Sequence, residues 1–367
     1  MKYKILTIIG ARPQFIKFAA VSKELKKIKG IKEIVVHTGQ HYNKSMSDIF
    51  FSQLNLPTPK YHLKTGGKSH NIMIGQMMVK LDKVIKDERP SLVLVYGDTN
   101  STLAGALSAK KNDIAIAHVE AGVRNYDESM PEEVNRYITD RVSNLNFCAT
   151  KNGKNNLLNE GYLKYVQYSK IFLSGDVMYD IFLDTVKKFS EIKIKKFTNN
   201  IIHNDFILCS IHRASNVDNP KILKEIIDSL NIIHNEVKVL FLVHPRTKKV
   251  ISNHNIHTEV ILKNPIGYEE TLFALSKCKY VITDSGGLIR EAYFSRKKSI
   301  LILKTALWPE INEEKCSLNT EPKKSNILSS FAKLKKLNSS FKKKIFGKGN
   351  ASSIIAKEIK IFLKRNI

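Results

Sequence analysis

The feature that most constrains this chain is a repeated rhythm. A short, nearly unbroken apolar run is closed by a polar residue or glycine, and a helix-length stretch follows. In the first half the runs are KILTIIG (4–10), EIVVHT (33–38), LVLVYGD (92–98), IAIAHVE (114–120) and IFLSG (171–175). Runs this short and this apolar read as strands buried on both faces, as in a parallel sheet with helices above and below it. Helix-former composition between them predicts helices over 14–29, 70–88, 101–111 and 132–145.

A second series begins after a polar, strand-poor stretch at 190–204: FILCSIH (206–212), VKVLFLVHP (237–245), VILKNP (260–265), YVITDSG (280–286) and SILILK (299–304). The pattern predicts two doubly wound, Rossmann-like parallel-sheet α/β domains. Their ligand is expected outside the carboxyl ends of strands, in the cleft between the domains. A length of 367 residues agrees with two domains, and 43% apolar residues exclude a disordered or low-complexity chain. No apolar run approaches the ~18 residues of a membrane helix, and Lys2 and Lys4 lead straight into a short apolar segment rather than a secretory leader. The expectation is a cytoplasmic protein with no stable membrane insertion.

Cys148, Cys209, Cys278 and Cys316 are widely separated and form no CxxC pair or Cys/His ligand spacing, so neither zinc nor a disulfide framework is expected. The formal net charge is +26. It is lysine spread over the chain, with no zinc finger, RRM signature or aromatic-interleaved basic stripe. It reads as a solvated surface rather than a nucleic-acid footprint.

Chemistry is sought where strands end. LVLVYGD closes on Asp98, IAIAHVE on Glu120, FILCSIH on His212 followed by Arg213, and FLVHP carries His244. Any one of these residues reads equally well as a helix cap, but ionisable groups at four strand ends across both halves point to a polar cleft. YVITDSGGLIREA (280–292) reads as strand, glycine turn and helix start. There Gly286 and Gly287 let backbone N–H groups approach a phosphate, Ser285 adds a hydroxyl, and Glu291 stands ready for a ribose diol. GARPQ (10–14) places Arg12, with Lys17 behind it, at another strand end, which completes a diphosphate clamp. PEEVNR (131–136) offers Glu132 and Glu133 in a helix first turn, a place the helix dipole also favours. With Asp98 and Glu120 they supply the carboxylates needed to take a proton from carbon and return one.

In this order, GARPQFIK, TGQH (38–41), YGDTNST, HVEAGVR, MPEEVNR, GDVMYD (175–180), IHRASN (211–216), VHPR, PIGY (265–268), TDSGG and FGKGNAS (346–352) resemble the non-hydrolysing UDP-N-acetylglucosamine 2-epimerase family. GARPQF and HRASN are most similar to the branch of UDP-2,3-diacetamido-glucuronate 2-epimerases. The resemblance implies a GT-B-like fold, with an N-terminal domain over 1–175, a UDP-binding domain over 176–351 and a C-terminal helix over 352–367 that packs back on the N-terminal domain. It implies epimerisation at C2 by anti elimination of UDP and re-addition, without cofactor or metal, in a homodimer that serves surface polysaccharide synthesis. Asp98, Glu120 and Glu132 become the acid/base carboxylates, and His212 assists at the diphosphate. Arg12, Lys17, Arg136, Arg213, His244, Tyr268, Ser285, Gly286, Gly287 and Glu291 hold the UDP-sugar substrate.

One stretch departs from the family. Where its members carry Arg-Asp-x-Thr-Glu, this chain has Leu303, Lys304, Thr305, Ala306 and Leu307 before Trp308, so a polar pocket wall is expected to be partly apolar. The competing readings are a GT-B glycosyltransferase, a hydrolysing 2-epimerase and a catalytically impaired UDP-sugar binding protein.

Overall fold

The computed structural model describes residues 2–40, 56–164, 169–188 and 205–366. The strand-poor stretch expected at 190–204 and His41 of TGQH lie outside the described residues. The chain forms two compact units, Met1–Leu183 with Lys344–Ile367, and Asp184–Lys343.

The first unit contains β1 (Tyr3–Ile9), α1 (Arg12–Leu25), β2 (Ile31–His37), β3 (Tyr61–His62), α2 (His70–Glu88), β4 (Leu92–Tyr96), α3 (Asn100–Lys111), β5 (Ala115–Val119), α4 (Pro131–Val142), β6 (Leu145–Cys148), α5 (Lys151–Asn159) and β7 (Lys170–Leu173), and α6 (Val177–Val186) begins in it. Its seven-stranded sheet runs β3-β2-β1-β4-β5-β6-β7, with every pairing parallel. Leu6, Ile8, Val93 and Val95 are fully buried against Met77 and Leu81 of α2 and Ala104 of α3, which is why β1 and β4 read as unbroken apolar runs.

The helix expected over 132–145 stops at Val142, where Ser143 turns extended and its hydroxyl bonds the Thr139 carbonyl at 2.7 Å. The chain then enters β6, a four-residue strand that the sequence reading missed.

The second unit holds β8 (Ile207–Ser210), α7 (Ala214–Val217), α8 (Pro220–Glu236), β9 (Val239–Leu242), α9 (Pro245–Asn253), β10 (Ile261–Lys263), α10 (Tyr268–Lys277), β11 (Tyr280–Thr283), α11 (Gly286–Phe294), β12 (Lys298–Ile302), α12 (Pro309–Glu313), β13 (Ser317–Thr320) and α13 (Lys324–Lys336). Its parallel sheet runs β10-β9-β8-β11-β12-β13. The Lys298 ammonium donates to the carbonyls of Leu334 and Leu337 at 3.1 and 2.8 Å, so a cation closes the C-terminal end of α13.

The last helix, α14 (Ala351–Asn366), belongs to the first unit and packs on α1. The Asp180 carboxylate on α6 accepts its first N–H groups, from Ala351 and Ser352, at 3.1 and 2.7 Å, together with the Ser352 hydroxyl at 2.6 Å. GDVMYD and FGKGNAS therefore meet in a structural seam, fastened further by the Asp176 N–H on the Phe346 carbonyl at 3.0 Å.

Strand order reverses between β1 and β4 in one sheet and between β8 and β11 in the other. In open α/β sheets such switch points open a crevice at the strands' carboxyl ends. Gly10 and Asp98 follow the first pair of strands, and His212 and Asp284 follow the second. Among the described residues no helix is long and apolar enough to cross a membrane, and no cluster of His, Cys, Asp or Glu could hold a metal.

Candidate active site

In the first unit the β1 turn is built around Gln14. Its side-chain oxygen accepts the N–H groups of Gly10 and Ala11 at 2.8 and 3.0 Å, and its amide donates to the Tyr96 carbonyl and the Thr102 hydroxyl, both at 3.0 Å. The ends of β1 and β4 are thus tied together. A Cβ at Gly10 would stand 1.9 Å from the Thr38 hydroxyl and 2.3 Å from that of Ser101, so only glycine lets the strand ends close. Arg12 opens α1 and is half-buried.

Lys17, one turn further on, does not reach open solvent. Its ammonium lies 2.6 Å from Glu120 Oε1, and the two side chains are 3% and 9% exposed. Glu120 takes a left-handed φ of +77°, an uncommon conformation for a non-glycine residue and one that concentrates at functional sites.

Asp98 is paired as firmly. Arg136 of α4 reaches its Oδ2 through Nε at 3.0 Å and Nη2 at 2.5 Å, and Asn135 donates to the Asp98 carbonyl at 2.8 Å. Burial works against the Arg136 charge, but Asp98 and Glu133 outweigh it and hold the guanidinium ionised.

The two glutamates of PEEVNR separate cleanly. Glu133 is fully buried. Its Oε1 accepts the N–H groups of Asn125 and Tyr126 at 3.1 and 2.9 Å, and its Oε2 accepts Arg136 Nη1 at 2.6 Å. It holds the loop that precedes α4. Glu132 is partly exposed.

The second unit is organised by a residue the sequence reading passed over. Asp284 is fully buried. It accepts the backbone N–H groups of His212 and Arg213 at 3.0 and 2.8 Å, the Asn216 amide at 3.1 Å, and His212 Nδ1 at 3.1 Å. Burial raises its carboxyl, but His212 and these N–H donors outweigh that and hold it below the ordinary carboxylate range. With Nδ1 engaged, His212 presents Nε2 from a side chain that is 42% exposed. His244 lies 6.3 Å away, ring to ring, and its Nδ1 accepts the Arg246 N–H at 3.2 Å. Arg213 Nε donates to the Asp284 carbonyl at 2.7 Å.

Ser285 caps α11 by accepting the Leu288 N–H at 3.3 Å, which leaves its own proton to donate. Gly286 and Gly287 are partly exposed, while Glu291 and Tyr268 are buried.

The departing stretch is absorbed behind this turn. Leu307 and Trp308 are buried. A Leu307 methyl would lie 2.7 Å from a Cβ at Gly286, the Trp308 indole donates to the Gly286 carbonyl at 3.1 Å, and the Arg290 guanidinium stacks 4.5 Å from its ring. Lys304 and Thr305 are exposed.

The site residues predicted from sequence therefore form two constellations at two switch points. One is Asp98 with Arg136 beside Glu120 with Lys17, while Glu132 stands partly exposed at the start of α4. The other is His212, Arg213, His244 and the glycine turn. Asp284 is their principal omission, since an aspartate before Ser-Gly-Gly reads as an ordinary turn residue.

Comparison with known proteins places the chain in a family. The family model for UDP-N-acetylglucosamine 2-epimerase matches residues 23–360. A UDP-N-acetylglucosamine 2-epimerase homolog of Methanococcus maripaludis is 41% identical over 95% of this chain and 97% of its own. The UDP-2,3-diacetamido-2,3-dideoxy-D-glucuronate 2-epimerase of Pseudomonas aeruginosa is 44% identical over 84% and 85%. The crystal structure of Methanocaldococcus jannaschii UDP-GlcNAc 2-epimerase in complex with UDP-GlcNAc and UDP superposes with a TM-score of 0.89, covering 98% of this chain and 100% of that one at 35% identity. The chain belongs to the UDP-N-acetylglucosamine 2-epimerase family.

Proposed function

We propose that the protein interconverts UDP-GlcNAc and UDP-ManNAc, or the epimers of a related UDP-2-acetamido sugar such as UDP-2,3-diacetamido-glucuronate, by anti elimination of UDP and its re-addition. The observation that carries this reading is the pair of carboxylates at the ends of β4 and β5. Each is fixed by its own cation, Asp98 by Arg136 and Glu120 by Lys17, and Glu132 is partly exposed at the start of α4.

An unactivated C2 proton demands a positioned base, and inversion demands an acid on the opposite face. Asp98, Glu120 and Glu132 share these two tasks. UDP is assigned to the second unit, where the N-terminus of α11 offers N–H groups to phosphate. There His212 and Arg213 face the diphosphate, Ser285 donates a hydroxyl and Glu291 holds the ribose. Arg12, His244 and Tyr268 complete the substrate contacts. The names of the relatives support the substrate class. The same reading makes the enzyme a cytoplasmic homodimer that supplies a ManNAc-type nucleotide sugar to surface polysaccharide synthesis.

Proton NMR of the protein with UDP-GlcNAc in deuterated water tests the reading. Deuterium at C2 with a growing UDP-ManNAc signal is expected, and the Asp98→Asn variant should lose both while still binding UDP. Free ManNAc would identify a hydrolysing enzyme. Absence of exchange with both UDP-GlcNAc and UDP-2,3-diacetamido-glucuronate would overturn the assignment.

A further inference from the structure

Between the strands that carry Asp98 and Glu120 lies a histidine for which the reaction has no evident use. His118 of β5 is completely buried. Its Nε2 lies 2.7 Å from the Gly97 carbonyl and its Nδ1 lies 2.7 Å from Asp140 Oδ1. A carbonyl only accepts, so Nε2 carries a proton.

Asp140 in turn takes Arg124 Nη1 at 2.7 Å and the Gly122 N–H at 3.1 Å on its other oxygen. Both donors sit on Oδ2, so Oδ1 is left to His118 Nδ1. Burial disfavours the Asp140 anion, but Arg124 and His118 outweigh it and keep its carboxyl below the ordinary range. The chain of charges ends where Arg124 meets Glu160 through two bonds, at 2.9 and 2.8 Å.

Gly97 is gripped twice by β5. Its N–H donates to the Val119 carbonyl at 2.9 Å while its carbonyl accepts His118. It sits at φ +64°, and a Cβ there would meet Lys17 Nζ at 2.9 Å. The residue before Asp98 is therefore clamped to the strand that ends in Glu120.

We propose that His118 is a positioning residue of the epimerase reaction, a buried imidazole that bridges Asp140 to the Gly97 carbonyl, fixes the Gly97–Asp98 turn against the strand bearing Glu120 and so sets the spacing of the two carboxylates. The proposal rests on the reading of Asp98 and Glu120 as the groups that handle the C2 proton. Among the described residues the ionisable partner of His118 is Asp140 from α4, which meets Arg124 from the loop after β5, and Lys17 from α1 lies beside Gly97.

Two measurements test it. In protein labelled with 15N-histidine, long-range proton–nitrogen spectra should show one of the 11 imidazoles with an Nε2–H protected from exchange with water, and His118→Gln should remove that signal. Spectra with no such protected Nε2–H overturn the proposal. In kinetics, a misaligned reacting group costs on the order of 100-fold, so His118→Gln should lower kcat by about that factor while KM and the calorimetric affinity for UDP stay put. A kcat equal to wild type, or a loss confined to KM, overturns it. Should His118→Gln not fold, the wild-type spectra alone decide whether the Nε2–H clamp on Gly97 exists. A wild-type protein that epimerises neither nucleotide sugar defeats the functional reading, and the spectra still report on His118.

Discussion

The Lys17 ammonium is spent on Glu120, 2.6 Å away in a nearly dry setting, rather than standing open to an anion. Sequence placement just behind Arg12 suggested a diphosphate ligand, and the geometry suggests a partner that holds the Glu120 carboxylate in its place. Removing one member of a buried pair typically costs ~3–5 kcal/mol. Lys17→Met should therefore lower kcat sharply and leave the affinity for UDP, measured by calorimetry, as in wild type. Weakened UDP binding with normal kcat would return Lys17 to the diphosphate.

Adjacent glutamates on α4 should behave in opposite ways. Glu133→Gln disturbs the grip on the loop at Asn125 and Tyr126 and the bond to Arg136. Disrupted buried hydrogen bonds of this kind cost about 1–3 kcal/mol, and at ~2–4 °C per kcal/mol a chain of this size should melt several degrees lower. Glu132→Gln touches no such network, so it should melt like wild type and lose turnover by ~10²–10⁴-fold. Thermal melts and kinetics of the two variants side by side check this, and interchanged phenotypes would reverse the assignment.

This pair shows where sequence reading stops. Asp98 and Glu120 were legible because an apolar strand that ends in a carboxylate must place it at the sheet's edge. Whether Glu132 or Glu133 faces inward depends on the path of the loop at 122–130, which no periodicity encodes. Asp284 was hidden for a related reason: its donors come from His212, Arg213 and Asn216, about 70 positions away and brought near only by the β8–β11 pairing. Strands β6 and β13 were missed because LNFC and SLNT are short and carry polar residues, so they lack the apolar run that marked their neighbours. Two motifs of the family resemblance, GDVMYD and FGKGNAS, prove to fasten α14 to the first unit.

Asp284 makes a pH prediction with a definite sign. Its folded carboxyl titrates below the ordinary value, so between the folded pKa and the unfolded value of ~3.9 the unfolded chain binds more protons and stability rises with pH. The contribution is fully present above about pH 4 and is lost as pH falls through the folded pKa. Asp284→Asn should be markedly less stable than wild type in urea at pH 7, and the gap should narrow on acidification below that point. A gap independent of pH would mean that the carboxylate's charge contributes nothing. The same variant frees His212 Nδ1 from its anchor, so turnover should fall even where the protein remains folded.

Trp308 is the only tryptophan in the chain, and it is buried with its indole N–H on the Gly286 carbonyl and the Arg290 guanidinium stacked on its ring. Its emission therefore reports on the glycine turn assigned to UDP. Emission should be blue-shifted in the folded protein, as befits an indole out of water, and should change saturably as UDP is added. Ser285→Ala combined with Glu291→Ala should move that titration to higher UDP concentration. Trp308→Phe keeps a ring for Arg290 and gives up one hydrogen bond, a loss of about 1 kcal/mol, while Arg290 Nε still donates to the Gly286 carbonyl at 3.2 Å. It should bind UDP nearly as well as wild type in calorimetry, whereas Trp308→Ala, which empties the space behind the turn, should bind it more weakly. Calorimetric UDP binding with no change in Trp308 emission would place the nucleotide away from this turn and remove the role assigned to Ser285, Gly286 and Gly287.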